Sequence, residues 1–398
     1  MDSSIEKPPW EKFPWENIVF QQSPFPTDAI LKDLSFTTFD TSWNEIPHIH
    51  LNEVKAKIEP LEKNHTWETL KKRTNPYELV YTQDNSECPQ SLSVLRPLSR
   101  SYFKMIEILS ISEFFDKIPK GTQKIRTAHV CEGPGGFIEA LLDRSSLHRV
   151  PITRIFAMTL KPTNNHIPGW RRAYSFLQKH PEIKIHYGQD GTGDLYKREN
   201  QSSFVDLFVS PKALLFTGDG GFDFSVDYEN QEKSMYTLLL ASAITGLQVL
   251  GPDGTLVLKL FDLFSSSTQF LVRCISFCFR EWVLYKPAMS RPCNSERYLV
   301  CRGFRKLPPS ILTLLKQMEQ KGHNDEFPKL DFFSFFSEKE RKYLEEHIQE
   351  STERQIQNIE KTIHLQSVPL TQYDWKTQYT NAHQWCLHFR IPSNKPKI

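Results

Sequence analysis

The sequence predicts an α/β fold built on a mostly parallel sheet with crossover helices, and three observations carry that expectation. From about residue 100, short β-branched runs alternate with helical segments. A glycine-rich turn, Cys131-Glu132-Gly133-Pro134-Gly135-Gly136-Phe137, follows one such run and opens an apolar helix. A second turn, Gly251-Pro252-Asp253-Gly254, closes a long helical segment before the next strand.

Taken in order, residues 1–64 are rich in Pro, Trp and Phe with little periodicity, and read as an extended arm held by aromatic anchors. Residues 65–306 are assigned to the core. Strands are expected over Ile125–Cys131, Thr153–Thr159, Ile183–Tyr187, Leu214–Thr217, Thr255–Phe261, Trp282–Tyr285 and Arg297–Arg302. Helices are expected after Gly136, from about Asn230 to Leu250, and from Ser265 to Arg280. Residues 307–398 form a helical extension, in which Ser337 and Glu340 spell a capping box opening a charged helix to about Leu365, and another helix covers Gln372–His388 before Pro392. This tail is read as packing on the core or on a partner, with no chemistry of its own. His383, Cys386 and His388 keep company with Trp385 and Phe389 and lack further ligands, so packing is preferred over a metal site.

With 398 residues, 39% hydrophobic and 24% charged, the composition is that of a packed globular protein. The longest weakly polar stretch, Thr237–Gly251, is too short and too interrupted to cross a bilayer. Met1-Asp2-Ser3-Ser4 begins no secretory pattern, and seven cysteines without a CxxC pair argue against disulfide and structural zinc frameworks. An intracellular site is expected: the nucleus for a cellular protein, the host cytoplasm or virion for a viral one. A net charge of +2 offers no global field to a polyanion, which leaves nucleic-acid binding to local patches such as Lys71-Lys72-Arg73, Arg171-Arg172 and Arg305-Lys306.

Ligands of such sheets bind beyond the carboxyl ends of the strands. Gly135 and Gly136 let backbone approach a ligand, and the following helix N-terminus offers free N–H groups. The dinucleotide fingerprint and the phosphate-loop Lys-Ser/Thr are both missing, and Ala157-Met158-Thr159-Leu160-Lys161 has no carboxylate to hold an NAD ribose. Asp190 and Asp194 could instead hold polar groups of a cofactor. Four ionisable residues stand at element ends: Lys104 on an amphipathic helix, Asp219 just past an apolar strand, Lys259 interrupting Leu256-Val257-Leu258-Lys259-Leu260-Phe261, and Glu296 opening the last strand. A lysine there needs a carboxylate partner. The four form either a buried structural ion-pair network or a basic centre around a tuned lysine, whose ordinary pKa near 10.4 must fall for it to act near neutrality.

These residues, with the Gly-Pro-Gly-Gly-Phe loop and the Arg100-Ser101-Tyr102-Phe103-Lys104 helix, resemble the FtsJ-type ribose 2′-O-methyltransferases. The segments Lys72-Arg73-Thr74-Asn75-Pro76-Tyr77-Glu78, Asp219-Gly220-Gly221-Phe222, Lys259-Leu260-Phe261-Asp262-Leu263-Phe264, and Ser290-Arg291-Pro292 through Asn294-Ser295-Glu296-Arg297-Tyr298 are similar to the mRNA cap enzymes of eukaryotes and large DNA viruses. The resemblance covers about residues 65–304. It implies a Rossmann-like class I methyltransferase with a seven-stranded sheet, S-adenosylmethionine as donor and capped mRNA as substrate. Lys259 is then the base, tuned by Lys104, Asp219 and Glu296. Cys131, Glu132, Gly133, Pro134, Gly135, Gly136 and Phe137 hold the methionine and ribose parts of the donor, and Asp194 and Leu195 the adenosine end. Lys71, Arg73, Asn230 and Asn294 contact RNA, and Trp170, Tyr77, Trp10 and Trp15 are the aromatic candidates for a cap pocket. The C-terminal helices are the surface for other capping or transcription proteins. Glu132 and Ser99 depart from the common cap-enzyme pattern. Methylation of the second nucleotide or of internal rRNA or tRNA sites, and an inactive RNA-binding scaffold, are the alternatives.

Overall fold

The computed structural model describes residues 13–28, 30–31, 48–82, 88–163, 169–221, 231–322 and 336–394. Its sheet contains β1 (Gln21–Gln22), β2 (Ile125–Val130), β3 (Ile152–Met158), β4 (Ile183–His186), β5 (Ala213–Gly218), β6 (Leu250–Leu260), β7 (Phe279–Tyr285) and β8 (Arg297–Phe304). The strand order is β1-β7-β8-β6-β5-β2-β3-β4. Strands β6, β5, β2, β3 and β4 run parallel, while β8 lies antiparallel to both β6 and β7. All seven expected strands are present, in the expected mostly parallel arrangement. An eighth comes from the arm, where Gln21 pairs with Trp282 and Gln22 with Glu281, covering part of the β7 edge. Two residues carry too little pattern to mark a strand in sequence.

The Gly251–Gly254 turn lies inside β6 rather than ahead of it. Ala213 pairs with Leu250 and Leu215 with Thr255, so the intervening residues bulge out, with Asp253 at φ 63.

Helices cover both faces of the sheet: α1 (Ile49–Ala56), α2 (Trp67–Thr74), α3 (Ser101–Ile111), α4 (Gly136–His148), α5 (Arg198–Asp206), α6 (Gln231–Val249), α7 (Ser266–Phe277), α8 (Pro309–Gly322), α9 (Glu338–His364) and α10 (Lys376–His388). One apolar cluster joins α5 to α8 with α1, α2 and α9; the other joins α3, α4 and α10. Along β6 the two clusters alternate: Leu256, Leu258 and Leu260 face the first and Val257 the second. The period-2 alternation thereby puts Lys259 on the Val257 face, one residue from the strand's end.

The arm is not extended throughout, because α1 buries Leu51 and Val54 in the first cluster. Eight residues are too few for a visible period. The tail packs on the core. Its long helix starts at the expected capping box, where Ser337 Oγ accepts from the Glu340 N–H at 3.4 Å and Glu340 accepts in return from the Ser337 N–H at 3.0 Å. The last helix starts later than expected, at Lys376, whose N–H donates to Asp374 at 2.9 Å. Among the described residues no helix is long and apolar enough to cross a membrane.

Candidate active site

The strand order reverses direction between β2 and β5, and the loops after these two strands flank the resulting crevice. The glycine-rich loop follows β2 and Asp219 follows β5. In the loop, Gly135 adopts φ 105, a conformation that glycine takes without strain. A side chain there would press on Trp170 at 3.2 Å and Leu98 at 3.5 Å. At Gly136 even a methyl group would run into the hydroxyls of Ser99 and Ser101, so the loop, α4 and the start of α3 fit together only around glycine. The indole N–H of Trp170, buried beside the loop, meets no acceptor among the described residues. Cys131 opens the loop directly after β2. Its thiol is pushed up to about 12 by burial and by the carboxylates of Glu132, Asp219 and Asp194, against the pull of Lys259.

Sheet register assembles the four ionisable residues. Gly218 pairs with Leu258, which brings Asp219 level with Lys259, and Lys259 in turn pairs across the antiparallel seam with Tyr298. Lys259 Nζ lies 3.2 Å from Asp219 Oδ1 and donates to the Asp219 carbonyl at 3.3 Å. Lys104 on α3 reaches Glu296 at 2.5 Å. The Tyr298 hydroxyl links the two pairs: it donates to Asp219 at 2.8 Å and lies 3.4 Å from Glu296. Tyr298 was not among the expected site residues, although it shares the strand face of Glu296 two positions earlier. That parity was its signal.

Burial opposes the charge on Lys259, but Asp219 and Glu296, with Glu132 behind them, outweigh it and hold the ammonium above its ordinary pKa. Burial likewise opposes the charge on Glu296, yet Lys104, Lys259 and Lys286 bring it down to about 2. Lys286, at the end of β7, is a second residue missed in sequence. It donates to the carbonyls of Asn294 at 2.7 Å and Glu296 at 3.0 Å, and to the Asn294 side chain at 2.9 Å. Burial, partly opposed by Glu296, lowers its pKa to about 7.

Glu132 does not present its carboxyl to the open side of the loop. It is buried and accepts from Thr217, whose hydroxyl also lies 2.7 Å from His129. Burial and the charge of Asp219 push its pKa well above the carboxylate range. Asp190 is engaged by Thr192 and Lys197 in its own loop and by Asn200 on α5, whereas Asp194 gives one oxygen to the Tyr196 N–H at 3.0 Å. Leu195 is buried beside it.

Beyond Glu296 lies a cavity of about 110 Å³ whose lining includes Lys71, Trp67, Asn294, Ser295, Arg291 and Gln231. It joins two of the expected RNA residues, Lys71 and Asn294. Arg73 does not reach it: the side chain is buried, and its guanidinium donates to the Val368 carbonyl at 2.9 Å and lies 5.9 Å from the Tyr373 ring. The turn of α2 between Lys71 and Arg73 sends the two cations to different sides, one to the cavity and one to the tail. Asn230 and Trp10 lie outside the described residues. Trp15 and Tyr77 pack on each other at 5.5 Å, and Trp15 also packs on Phe389. The aromatic residue at the cavity is Trp67, four positions before Lys71 on the same helix. Helical spacing could have singled it out.

The motif residues around this cavity are tied by Glu78. Fully buried, it accepts from Arg291 at 2.9 and 3.1 Å and from Asn75 at 2.7 Å, with Arg100 at 3.4 Å.

Residues 97–304 match the family described as FtsJ-like methyltransferase. The cap-specific mRNA (nucleoside-2′-O-)-methyltransferase 1 of Trypanosoma cruzi is 31% identical over 239 residues, covering 58% of this chain and 64% of that protein. The protein of the same name from Trypanosoma brucei brucei is 35% identical over 213 residues, 52% of this chain and 55% of its own length. The human one is 36% identical over 186 residues, 45% of this chain and 21% of its own length. The chain thus spans less than two thirds of the length of these curated relatives.

Proposed function

Because the chain belongs to the FtsJ-like methyltransferase family, we propose that it methylates the ribose 2′-hydroxyl of the first transcribed nucleotide of N7-methylguanosine-capped RNA, using S-adenosylmethionine. The names of its relatives support the substrate. The observation that carries the chemistry is the Lys259 amine held at the end of β6 between Asp219 and the Lys104–Glu296 pair.

The glycine loop suits the donor: half-buried backbone at Gly133 and Pro134, the N-terminus of α4, and the indole N–H of Trp170, which meets no acceptor among the described residues, offer groups to a polar ligand. Cys131, Gly133, Pro134, Gly135, Gly136 and Phe137 would hold its methionine and ribose, and Asp194 and Leu195 its adenosine, while Glu132 braces the loop from within. Bound there, the donor supplies an electrophilic methyl group carried on a sulfonium.

Lys259 takes the 2′-hydroxyl proton as the ribose oxygen attacks. Asp219 orients the amine through both its carboxylate and its carbonyl oxygen, and Tyr298 keeps Asp219 in place. Lys104 neutralises Glu296, so that the site carries two cations against two carboxylates. Lys71 and Asn294 meet the cap phosphates and the RNA backbone at the cavity beside Trp67.

In the free protein Lys259 is held protonated. We therefore expect kcat/KM to rise about tenfold per pH unit between roughly pH 6 and 9. A plateau beginning near neutrality would take Lys259 out of the base role. The substrate is tested with labelled donor and short RNAs ending in an N7-methylguanosine cap, an unmethylated cap or a triphosphate. Label on the first ribose, only with the methylated cap, is the expected result. Label on the second ribose or without a cap would move the reaction to the second nucleotide or to internal sites, and donor binding without transfer would favour a scaffold.

A further inference from the structure

Glu296 and Asn294 both sit on the connection between β7 and β8, residues 286–296, and this connection is gripped from two sides by the C-terminal extension. On the first side the grip runs through Glu107, one helical turn beyond Lys104 on α3. Fully buried, the Glu107 carboxylate accepts from the backbone N–H groups of Ala288 at 2.7 Å and Met289 at 3.0 Å, from the Tyr285 hydroxyl at 2.6 Å, and from the indole N–H of Trp385 on α10 at 3.0 Å. On the second side α9 reaches the other end of the same connection. Gln355 donates to the Cys293 carbonyl at 3.1 Å, the Thr362 hydroxyl lies 3.1 Å from Cys293 Sγ, and Arg297 donates to Ser351 at 2.9 Å. Both helices lie outside residues 97–304, the span of the family match.

We propose that the C-terminal extension is a positioning device for the active site, with Trp385 acting through Glu107 and Gln355 through Cys293 to fix Glu296 and Asn294 in register with Lys104 and Lys259. The proposal rests on the methyl-transfer reading given above. A buried carboxylate with four donors has no spare orientation, so a shift of α10 is passed to Ala288 and Met289 and, along α3, to Lys104. A lysine base and its partners tolerate little displacement, since about 1 Å of misplacement can cost roughly a hundredfold in rate. Glu107 and Trp385 touch none of the reacting groups and are positioning residues.

The test uses the full chain and two conservative variants. Trp385→Phe keeps an aromatic ring and removes the donor, and Gln355→Leu keeps bulk and removes the bond at the opposite end. Leu387→Ala, exposed on the same helix as Trp385, is the control. Amide hydrogen exchange, donor affinity by calorimetry, and kcat and KM on capped RNA are measured for each. In both variants the 286–297 peptides should exchange about tenfold faster while 125–137 is unchanged, donor Kd should stay within about twofold, and kcat should fall roughly tenfold. Unchanged exchange at 286–297 in both variants, or equal loosening of 125–137, would overturn the proposal in favour of general packing. Should the wild type bind donor but leave capped RNA unmethylated, the substrate reading fails, and the exchange comparison still decides the grip.

Discussion

The loop after β2 and the connection before β8 meet at the same cluster of ionisable residues, but they are built in different ways. The first is one contiguous run, Cys131 to Phe137, whose shape follows from glycine at two positions and from the helix that starts immediately behind it. The second takes its form from three separate stretches, Glu78 through Arg291, Glu107 through Ala288 and Met289, and α9 through Cys293, with Lys286 bracing the connection from within. The loop proposed to bind the donor, shaped mainly by its own glycines, is most readily damaged from within or by its immediate neighbours Ser99, Ser101 and Trp170. A connection assembled from distant pieces can be damaged from any of them, and in the proposed reading it is the RNA-acceptor half, separable from the donor.

The sharpest break in that comparison is at Lys259, where the halves meet. Lys259→Ala should lower kcat by at least about a thousandfold and leave donor affinity within about twofold, as read by labelled methyl transfer and calorimetry. Residual turnover near wild type would assign the proton to another group. Next in size is Gly135→Asp, which forces a side chain into a left-handed conformation against Trp170. Donor affinity should drop roughly a hundredfold, with binding of capped RNA retained; unaltered donor affinity would move the donor out of this loop.

Glu78 probes the assembled half through stability. Burial alone would raise its pKa, but Arg100 and Arg291, with Asn75, hold it down to about 2 against an ordinary 4.5. A carboxylate depressed in the folded state stabilises fully above its unfolded pKa, and the contribution is lost as pH falls through the folded one. Glu78→Gln should therefore cost about 3 kcal/mol in unfolding free energy at pH 7, and the gap to wild type should shrink between pH 4.5 and about 2. Denaturant titrations at several pH values measure it, and a pH-independent gap would mean that packing rather than charge is at stake. The smallest effect is expected at the cavity rim: Lys71→Ala should raise KM for capped RNA about fivefold with kcat unchanged. A change in kcat instead would place Lys71 closer to the chemistry than the cavity lining implies.

Much of the local structure was legible in the chain. Alternating β-branched runs, the glycine turn and the capping box at Ser337 are short-range signals, and seven strands and the main helices lie where those signals put them. Less of the acceptor half was. Lys71 and Arg73 are two residues apart in one basic run, yet one lines the cavity and the other supports the tail. Trp67 faces that cavity, whereas Tyr77 packs on Trp15 and Trp15 in turn on Phe389. A basic or aromatic residue looks alike in sequence whichever way its helix turns, because its neighbours come from far along the chain.

What the chain determined alone was where each chemical group stands on its own element: Lys104 on a helix, Asp219 and Lys259 at strand ends, Glu296 at the start of the last strand. Periodicity and turn chemistry suffice for that, since they act over a few residues. Whether those groups meet was decided by pairing across the sheet, which sets Asp219 beside Lys259 and places Tyr298 between the two carboxylates. The same pairing decided the charge on Lys259. Burial and the carboxylates pull its proton in opposite directions, and only their distances in three dimensions say which prevails.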